Sequence, residues 1–155
     1  MALEIERKYL VKNDSWHEAV ESQQHVMQGY VAAGANATVR VRVKGERAYL
    51  TVKGPSAGIG RSEYEYQIPV ADGEAMLREL SATPLVEKTR YGVRCGEHLW
   101  DLDVFEGANA GLVMAEVELS REDETFVLPA WAGEEVSGDP RYYHVNLARL
   151  PFRDW

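Results

Sequence analysis

The stretch MALEIERKYL, residues 1–10, alternates charged and apolar side chains. Glu4, Glu6 and Lys8 occupy every second position, and Leu3, Ile5 and Tyr9 lie at the opposite parity. Because successive side chains of a β-strand point to opposite faces, the three charges would share one face. A half-buried strand with one face in water has the same pattern. The stretch therefore predicts a strand, and the rest of the chain must indicate what its charged face meets.

Later segments repeat this arrangement, with one face of each predicted strand given to acids or to bases. The segments are TVRVRVKG, AYLTVKG, RSEYEYQIP, EKTRYGVRC, LWDLDVF and MAEVEL. Their charged rows are Arg40, Arg42 and Lys44; Lys53; Arg61, Glu63 and Glu65; Lys88, Arg90 and Arg94; Asp101 and Asp103; and Glu116 and Glu118. A sheet that closes with these rows inside forms a charged tunnel and leaves no strand edge exposed. We therefore predict a mostly β (α+β) fold, a closed barrel with a few peripheral helices.

Length and composition indicate the class of protein. The chain has 155 residues, a formal net charge of -8 and one cysteine, Cys95. This length predicts a single domain, residues 1–155, with a core that needs no disulfide. The acidic charge argues against nucleic-acid binding, and no apolar run is long enough to span a membrane. A lone cysteine and the lack of a secretory signal favour a cytoplasmic location.

Three segments carry helix signals. NDSWHEAVESQ spaces Ser15 and Glu18 as a capping box, and ADGEAMLREL places apolar residues after an Asp72 cap. In GDPRYYHVNLARL, Asp139 can cap a helix that has Pro140 at its first position. In a closed barrel, the apolar residues of the strands would face outward. We expect these helices or a second copy of the chain, as a homodimer, to cover them.

The charged rows suit a particular chemistry. Clustered carboxylates offer hard oxygen ligands, which favour Mg²⁺ or Mn²⁺ over zinc. Interleaved Arg and Lys bind phosphate oxygens, Arg through its planar fork and Lys as a point charge. A divalent metal combined with basic groups is the apparatus of phosphoryl transfer.

These motifs resemble those of CYTH-domain proteins, the triphosphate tunnel metalloenzymes. EIERK fits the family's Glu-x-Glu-x-Lys signature at Glu4, Glu6 and Lys8, and the other charged segments follow in order over nearly the whole chain. The resemblance implies an eight-stranded antiparallel β-barrel tunnel that binds a triphosphate lengthwise with a divalent metal, Mg²⁺ or Mn²⁺.

The resemblance also implies roles for individual residues. The metal ligands would be Glu4, Glu6, Glu116 and Glu118, helped by Asp103 and by Glu63 or Glu65. Phosphates would be held by Lys8, Arg40, Arg42, Lys53, Arg61, Lys88 and Arg90. The catalytic residues would be Lys8, Glu6 and Glu118. Some relatives close the tunnel with a basic residue of a C-terminal helix, for which this chain offers Arg141 and Arg149.

The leading functional hypothesis is metal-dependent hydrolysis of inorganic triphosphate by a water that the metal activates. Within the same fold, the alternatives are a class IV adenylate cyclase and a thiamine or nucleoside triphosphatase. A non-catalytic polyphosphate-binding module is an alternative of another class, but it would not need both acidic pairs, EIE and EVE. The chain has no long insertion for a nucleotide base, which favours inorganic triphosphate. We expect structural or surface roles for His17, His25, His98 and His144, and we interpret GPSAGIG as a strand connection.

Overall fold

The computed structural model describes residues 3–155 and is built around one antiparallel sheet. Its strands are β1 (Leu3–Val11), β2 (Val20–Ala33), β3 (Thr38–Lys44), β4 (Arg47–Lys53), β5 (Gly60–Ile68), β6 (Val86–Cys95), β7 (His98–Phe105), β8 (Val113–Glu118) and β9 (Ala132–Glu135). The helices are α1 (Val70–Leu80) and α2 (His144–Arg149). Short 3₁₀ helices span Ser15–Ala19, Gly107–Asn109, Pro140–Tyr142 and Phe152–Asp154.

Strand β1 closes the sheet into an eight-stranded barrel. Neighbouring strands follow the order β5-β4-β3-β2-β6-β7-β8-β1, and β1 also pairs with β5. One edge of β1 pairs with β8 from Glu6 to Leu10, and Leu3 to Ile5 pair with β5. Strand β9 adds to β1 beside Tyr9, outside the ring of eight. The closed antiparallel barrel predicted from the charged rows is therefore confirmed.

Pairing between β1 and β8 shows how the register sorts the side chains. Lys8 lies opposite Glu116, and Glu6 lies opposite Glu118, so the charges of the two strands lie side by side on the inner face. Side chains of the opposite parity, including Ile5, belong to an apolar cluster on the outer face.

The outer apolar cluster is covered by a mostly irregular segment, residues 119–131, and by Trp16. From this segment, Leu119, Phe126 and Trp131 pack against Trp100 and its neighbours on the barrel wall. A loop thus covers this part of the barrel wall, whereas the predicted helix α1 packs on β3 and β4 elsewhere on the barrel.

A second apolar cluster occupies one end of the barrel. Met114, Phe105 and Val86 continue the charged rows of their strands toward this end, where they pack with Leu147 and Ala148 of α2. The charged cavity therefore does not extend through this end of the interior.

The prediction of the first helix is wrong beyond the first turn. Only Ser15–Ala19 is helical, as a 3₁₀ turn, and β2 begins at Val20. Ser15 Oγ donates to Asn13 Oδ1 at 2.7 Å and caps nothing. Hydrogen bonds from β2 to both β3 and β6 outweigh the local helix signal, because each residue of a central strand gains ladder partners on two sides.

The other two helix predictions are correct in place and differ in detail. Helix α1 begins at Val70, so Asp72 lies in its first turn, and Gly73 packs onto β4 so closely that a Cβ would lie 2.6 Å from Ala48 Cβ. Asp139 accepts a hydrogen bond from the Arg141 backbone N–H at 3.0 Å, but it caps a 3₁₀ turn, after which α2 begins. Across residues 3–155, no helix combines the length and apolarity needed to cross a membrane.

Candidate active site

A cavity of about 190 Å³ lies among the inward-facing side chains of the barrel. Residues from the predicted set that line it are Glu4, Glu6, Lys8, Arg40, Arg42, Lys53, Arg61, Glu63, Glu65, Arg90, Glu116 and Glu118. The lining also includes Tyr30, Thr38, Lys44, Asp101, Tyr143, His144 and Val145. Residues distant in sequence thus meet in one polar chamber, as the shared parity of the charged rows predicts.

Bases from β3, β4 and β6 form a cationic wall. Arg40, Arg42 and Lys53 are buried there, with Arg90 nearby. Burial and the neighbouring Arg40 and Arg90 lower the pKa of Arg42 to about 10. Burial and Arg40 likewise lower the pKa of Lys53. Because these cations repel one another in a site with little water, the wall is suited to an anion of high charge.

Acids from β1 and β8 form a wall of the opposite sign. Burial, Glu116 and Glu4 raise the pKa of Glu6 well above its usual range. Burial also raises the pKa of Glu118, with the charges of Glu4 and Asp101 adding to the effect. Carboxylates crowded in this way favour a bound cation, since a cation would offset their mutual repulsion.

Lys8 lies where the acidic wall is most deeply buried. Burial opposes its charge, but Glu116 and Glu6 outweigh burial and raise the pKa of Lys8. Its Nζ is 3.9 Å from Glu6 Oε1 and lies over the ring of Tyr143 at 5.4 Å. Burial also opposes ionisation of Glu116, yet Lys8 above all holds the pKa of Glu116 well below its usual range. Lys8 therefore stays charged among the carboxylates.

Two further acids are already paired with bases across the cavity. Lys53 Nζ donates to Glu4 Oε1 at 2.9 Å, and Arg61 Nε donates to the same oxygen at 3.3 Å. Glu65 Oε2 accepts hydrogen bonds from Arg42 Nη2 at 3.4 Å and from Thr51 Oγ1 at 2.7 Å. These contacts hold the side chains of Glu4 and Glu65 in place at the cavity wall.

Lys88 and Asp103 form a buried ion pair beneath the cavity lining. Lys88 Nζ donates to Asp103 Oδ2 at 2.8 Å, and Arg90 donates to both oxygens of the same carboxylate at 2.8 and 2.9 Å. Burial and Arg90 lower the pKa of Lys88 to about 7. Both residues were predicted to touch the ligand, but the apolar cluster at this end of the barrel leaves them enclosed.

The C-terminal segment reaches the cavity through Tyr143, His144 and Val145. Neither predicted basic residue does so. Arg141 forms an exposed pair with Asp139, and Arg149 donates to the Ala33 carbonyl at 3.0 Å. Charge alone therefore did not identify the residues of this segment that reach the cavity.

His144 is the functional candidate that the sequence analysis missed. It is buried, and its Nε2 lies 3.4 Å from Glu116 Oε1 and 4.0 Å from Asp103 Oδ2. Nothing in the local sequence distinguishes this histidine from His25, which is exposed and lies near Glu87 and Glu106. Lys44 and Asp101, by contrast, could have been predicted from the charged rows, since both share the parity of the chosen residues.

The connection GPSAGIG borders a smaller crevice of about 40 Å³ beside the cavity. Gly58 and Ile59 line it together with Glu6 and Arg61. The backbone N–H of Glu6 donates to the Ile59 carbonyl at 3.3 Å, which ties the connection to β1. The segment is thus a strand connection, as interpreted from its sequence, and it also forms part of the wall next to the site.

Comparison with known proteins places this geometry in a family. The sequence model of the CYTH domain matches residues 2–143. The chain belongs to the CYTH family. A curated CYTH relative from Acetivibrio thermocellus, named inorganic triphosphatase, is 43% identical over 155 residues, covering 100% of this chain and 99% of that protein. Another with the same name, from Nitrosomonas europaea, is 39% identical over 151 residues, or 94% of this chain and 96% of that protein.

Among solved structures, the CYTH chain is similar to the inorganic triphosphatase NE1496. The TM-score is 0.68 at 35% identity, with 96% of this chain and 95% of that chain covered.

Proposed function

We propose that this CYTH protein hydrolyses inorganic triphosphate with the help of a divalent cation, Mg²⁺ or Mn²⁺. The observation that carries the proposal is the pair of opposed walls, cations crowded around Arg42 and carboxylates crowded around Glu6. A triphosphate and a divalent cation bound together would relieve both repulsions at once. The names of the two curated relatives support the same substrate.

The basic residues bind and orient the phosphates. Arg40, Arg42, Lys53 and Arg90 project from three strands, so together they can contact several phosphate oxygens of an extended anion. Arg61 and Lys8 extend this set along β5 and β1. Because the strands hold these donors in place before the reaction, charge that develops on the transferred phosphoryl group meets fixed cations.

The acidic residues fit a hard divalent cation. Glu4, Glu6, Glu116 and Glu118 offer only oxygen ligands, which Mg²⁺ and Mn²⁺ favour. Glu116 Oε1 is buried and has no hydrogen-bond partner within 3.5 Å among the described residues, so it retains lone pairs for a ligand. Glu63 and Glu65, from β5, line the same cavity and would complete the set. When bound, the cation supplies charge neutralisation and makes a nearby water a better nucleophile.

Asp103 has a different role in this proposal. Its two oxygens already accept hydrogen bonds from Lys88 and Arg90, and its side chain is 1% exposed. We infer that Asp103 holds Arg90 toward the phosphates and provides the counter-charge for Lys88. Lys88 then contributes positive charge from beneath the wall and does not contact the substrate directly.

The proposal is tested by assaying the purified protein with Mg²⁺ against inorganic triphosphate, ATP and thiamine triphosphate. Both free phosphate and cyclic AMP are measured. We expect phosphate release that is fastest with inorganic triphosphate. Production of cyclic AMP from ATP would instead identify a cyclase, and tight triphosphate binding without turnover would identify a binding module. Faster turnover of ATP or thiamine triphosphate would identify an organic triphosphate as the preferred substrate.

A further inference from the structure

The imidazole of His144 and the carboxylate of Glu116 face each other at the cavity wall. Nε2 of His144 is 3.4 Å from Oε1 of Glu116, and neither atom makes a hydrogen bond to any described residue. The histidine ring is also fixed, since it packs edge-on against Phe105 at 5.9 Å. Buried polar atoms are nearly always paired, so these two atoms are each other's natural partner.

The chemistry of the two groups sets the direction of the contact. An ionised carboxylate can only accept hydrogen bonds, so the nitrogen that faces it must carry the proton. The 3.4 Å contact is not aligned as a hydrogen bond in this structure, but a small rotation would let Nε2–H of His144 donate to Oε1. Such a bond would restrain one oxygen of Glu116 and leave its remaining lone pairs for a cation bound at the acidic wall.

We propose that His144 is a positioning residue, which orients Glu116 as a ligand of the divalent cation. The inference rests on the proposed function, because that function is what requires the cation. Hydrogen bonds from outside the ligand shell commonly fix the orientation and basicity of a metal ligand. His144 would supply such a bond from the C-terminal segment to the acidic wall of the barrel.

Direct binding of the cation by His144 fits the structure less well. Asp103, Glu116 and His144 come close enough to suggest a three-residue metal site. However, Lys88 Nζ is 2.8 Å from Asp103, and Arg90 takes up both oxygens of that carboxylate. A metal ion placed there would meet two cations, whereas on the Glu6 side of Glu116 it would meet one, Lys8, so that side is the better location.

Packing of α2 explains how the histidine is held. Leu147 and Ala148 are buried in the apolar cluster at the end of the barrel, and Arg149 donates to the Ala33 carbonyl. His144 begins this helix, so its position relative to Glu116 is set by contacts of the C-terminal segment with β2 and its neighbours. The inference therefore links the C-terminal segment to metal affinity.

The experiment measures Mn²⁺ binding to the full chain without triphosphate, from the electron paramagnetic resonance signal of free Mn²⁺. We expect His144→Ala to weaken binding by roughly 10–100-fold, the usual cost of losing such a partner. His144→Gln, which can present an N–H donor at similar reach, should restore most of the affinity. His25→Ala controls for Mn²⁺ bound at the exposed cluster with Glu87 and Glu106. We expect it to retain the binding lost in His144→Ala.

Activity gives a second readout, and thermal melting shows whether each variant is folded. In His144→Ala, the Mn²⁺ concentration for half-maximal rate should rise, while the triphosphate KM at saturating Mn²⁺ stays near the wild-type value. Unchanged Mn²⁺ affinity in a folded His144→Ala protein would overturn the inference, as would a folded His144→Gln protein that restores nothing. If His144→Ala fails to fold, His144→Leu, which keeps volume but lacks the donor, replaces it. Normal Mn²⁺ binding without triphosphate hydrolysis would count against the proposed function alone.

Discussion

Lys88 and Asp103 form an ion pair of 2.8 Å in which both side chains are almost completely enclosed, with exposures of 0% and 1%. The pair extends to Arg90, whose guanidinium binds the same carboxylate through two hydrogen bonds. One acid thus compensates two bases, of which only Arg90 reaches the cavity surface. The arrangement couples the stability of the barrel to the placement of a phosphate-binding residue.

Replacing Asp103 should therefore destabilise the protein strongly. Asp103→Asn leaves buried bases without their counter-charge, and we expect a loss on the order of 3–5 kcal/mol in the free energy of unfolding at pH 7. Part of this loss should disappear near pH 9, because Lys88, with a pKa of about 7, can then lose its proton. Urea unfolding at both pH values measures the effect.

Asp101→Asn is the matched control for that experiment. Asp101 lies on the same strand but is 48% exposed and 3.6 Å from Arg90 Nη1. We expect its replacement to change the free energy of unfolding by less than about 1 kcal/mol. Equal losses in the two variants would show that burial of the Asp103 pair is not the source of its effect.

Arg40 and Arg42 should be necessary for stabilisation by ligand. Triphosphate with Mg²⁺ should raise the melting temperature of the wild type, since a ligand at 100 times its Kd adds about 2.7 kcal/mol. Arg40→Ala and Arg42→Ala should lose most of this rise, because a hydrogen bond to a charged group contributes about 1.5–3 kcal/mol. Arg78→Ala, which changes an exposed residue of α1, should keep it. A similar loss in Arg78→Ala would contradict the assigned phosphate site.

Glu6→Gln should make the metal-free protein more stable at neutral pH while it abolishes turnover. Burial and the nearby carboxylates raise the pKa of Glu6 in the folded state, so its ionised form destabilises the fold. The unfolded pKa is near 4.5, and below that pH both states of the wild type carry the proton. The advantage of the variant should therefore be largest at neutral pH and vanish as the pH falls toward 4.5. Urea melts in excess chelator test the trend, and a variant less stable at pH 7 would refute it.

Removal of the metal should abolish activity. Because the acidic wall offers only carboxylate oxygens, excess chelator should stop phosphate release, and added Mg²⁺ or Mn²⁺ should restore it. Glu118→Gln should need more metal for half-maximal rate, since it removes one ligand charge. Glu46→Gln, an exposed change in the turn between β3 and β4, should behave like the wild type. Full turnover in excess chelator would exclude a metal-dependent reaction.

Much of the fold could be predicted from local patterns. The alternation around Glu4, Glu6 and Lys8 predicted β1 and the face its charges share, and similar rows predicted six further strands. The exception among the barrel strands is β2, which carries few charges and begins beside a helix-like segment. Its identity depends on pairing with β3, across a short turn, and with β6, which is remote in sequence, so its own residues carry little signal for it.

For the site, the sequence by itself determined which side chains share the inner face, because the parity of a strand is a local property of its backbone. Only the tertiary structure decided how deep each side chain lies and what it meets. Lys88 and Arg90 have the same parity, yet Lys88 is enclosed, because apolar residues and α2 fill its end of the barrel. His144 reaches Glu116 only because the C-terminal segment folds back onto that end. Depth and cross-barrel contacts arise from closure of the sheet and packing of distant segments, which no short stretch of sequence encodes.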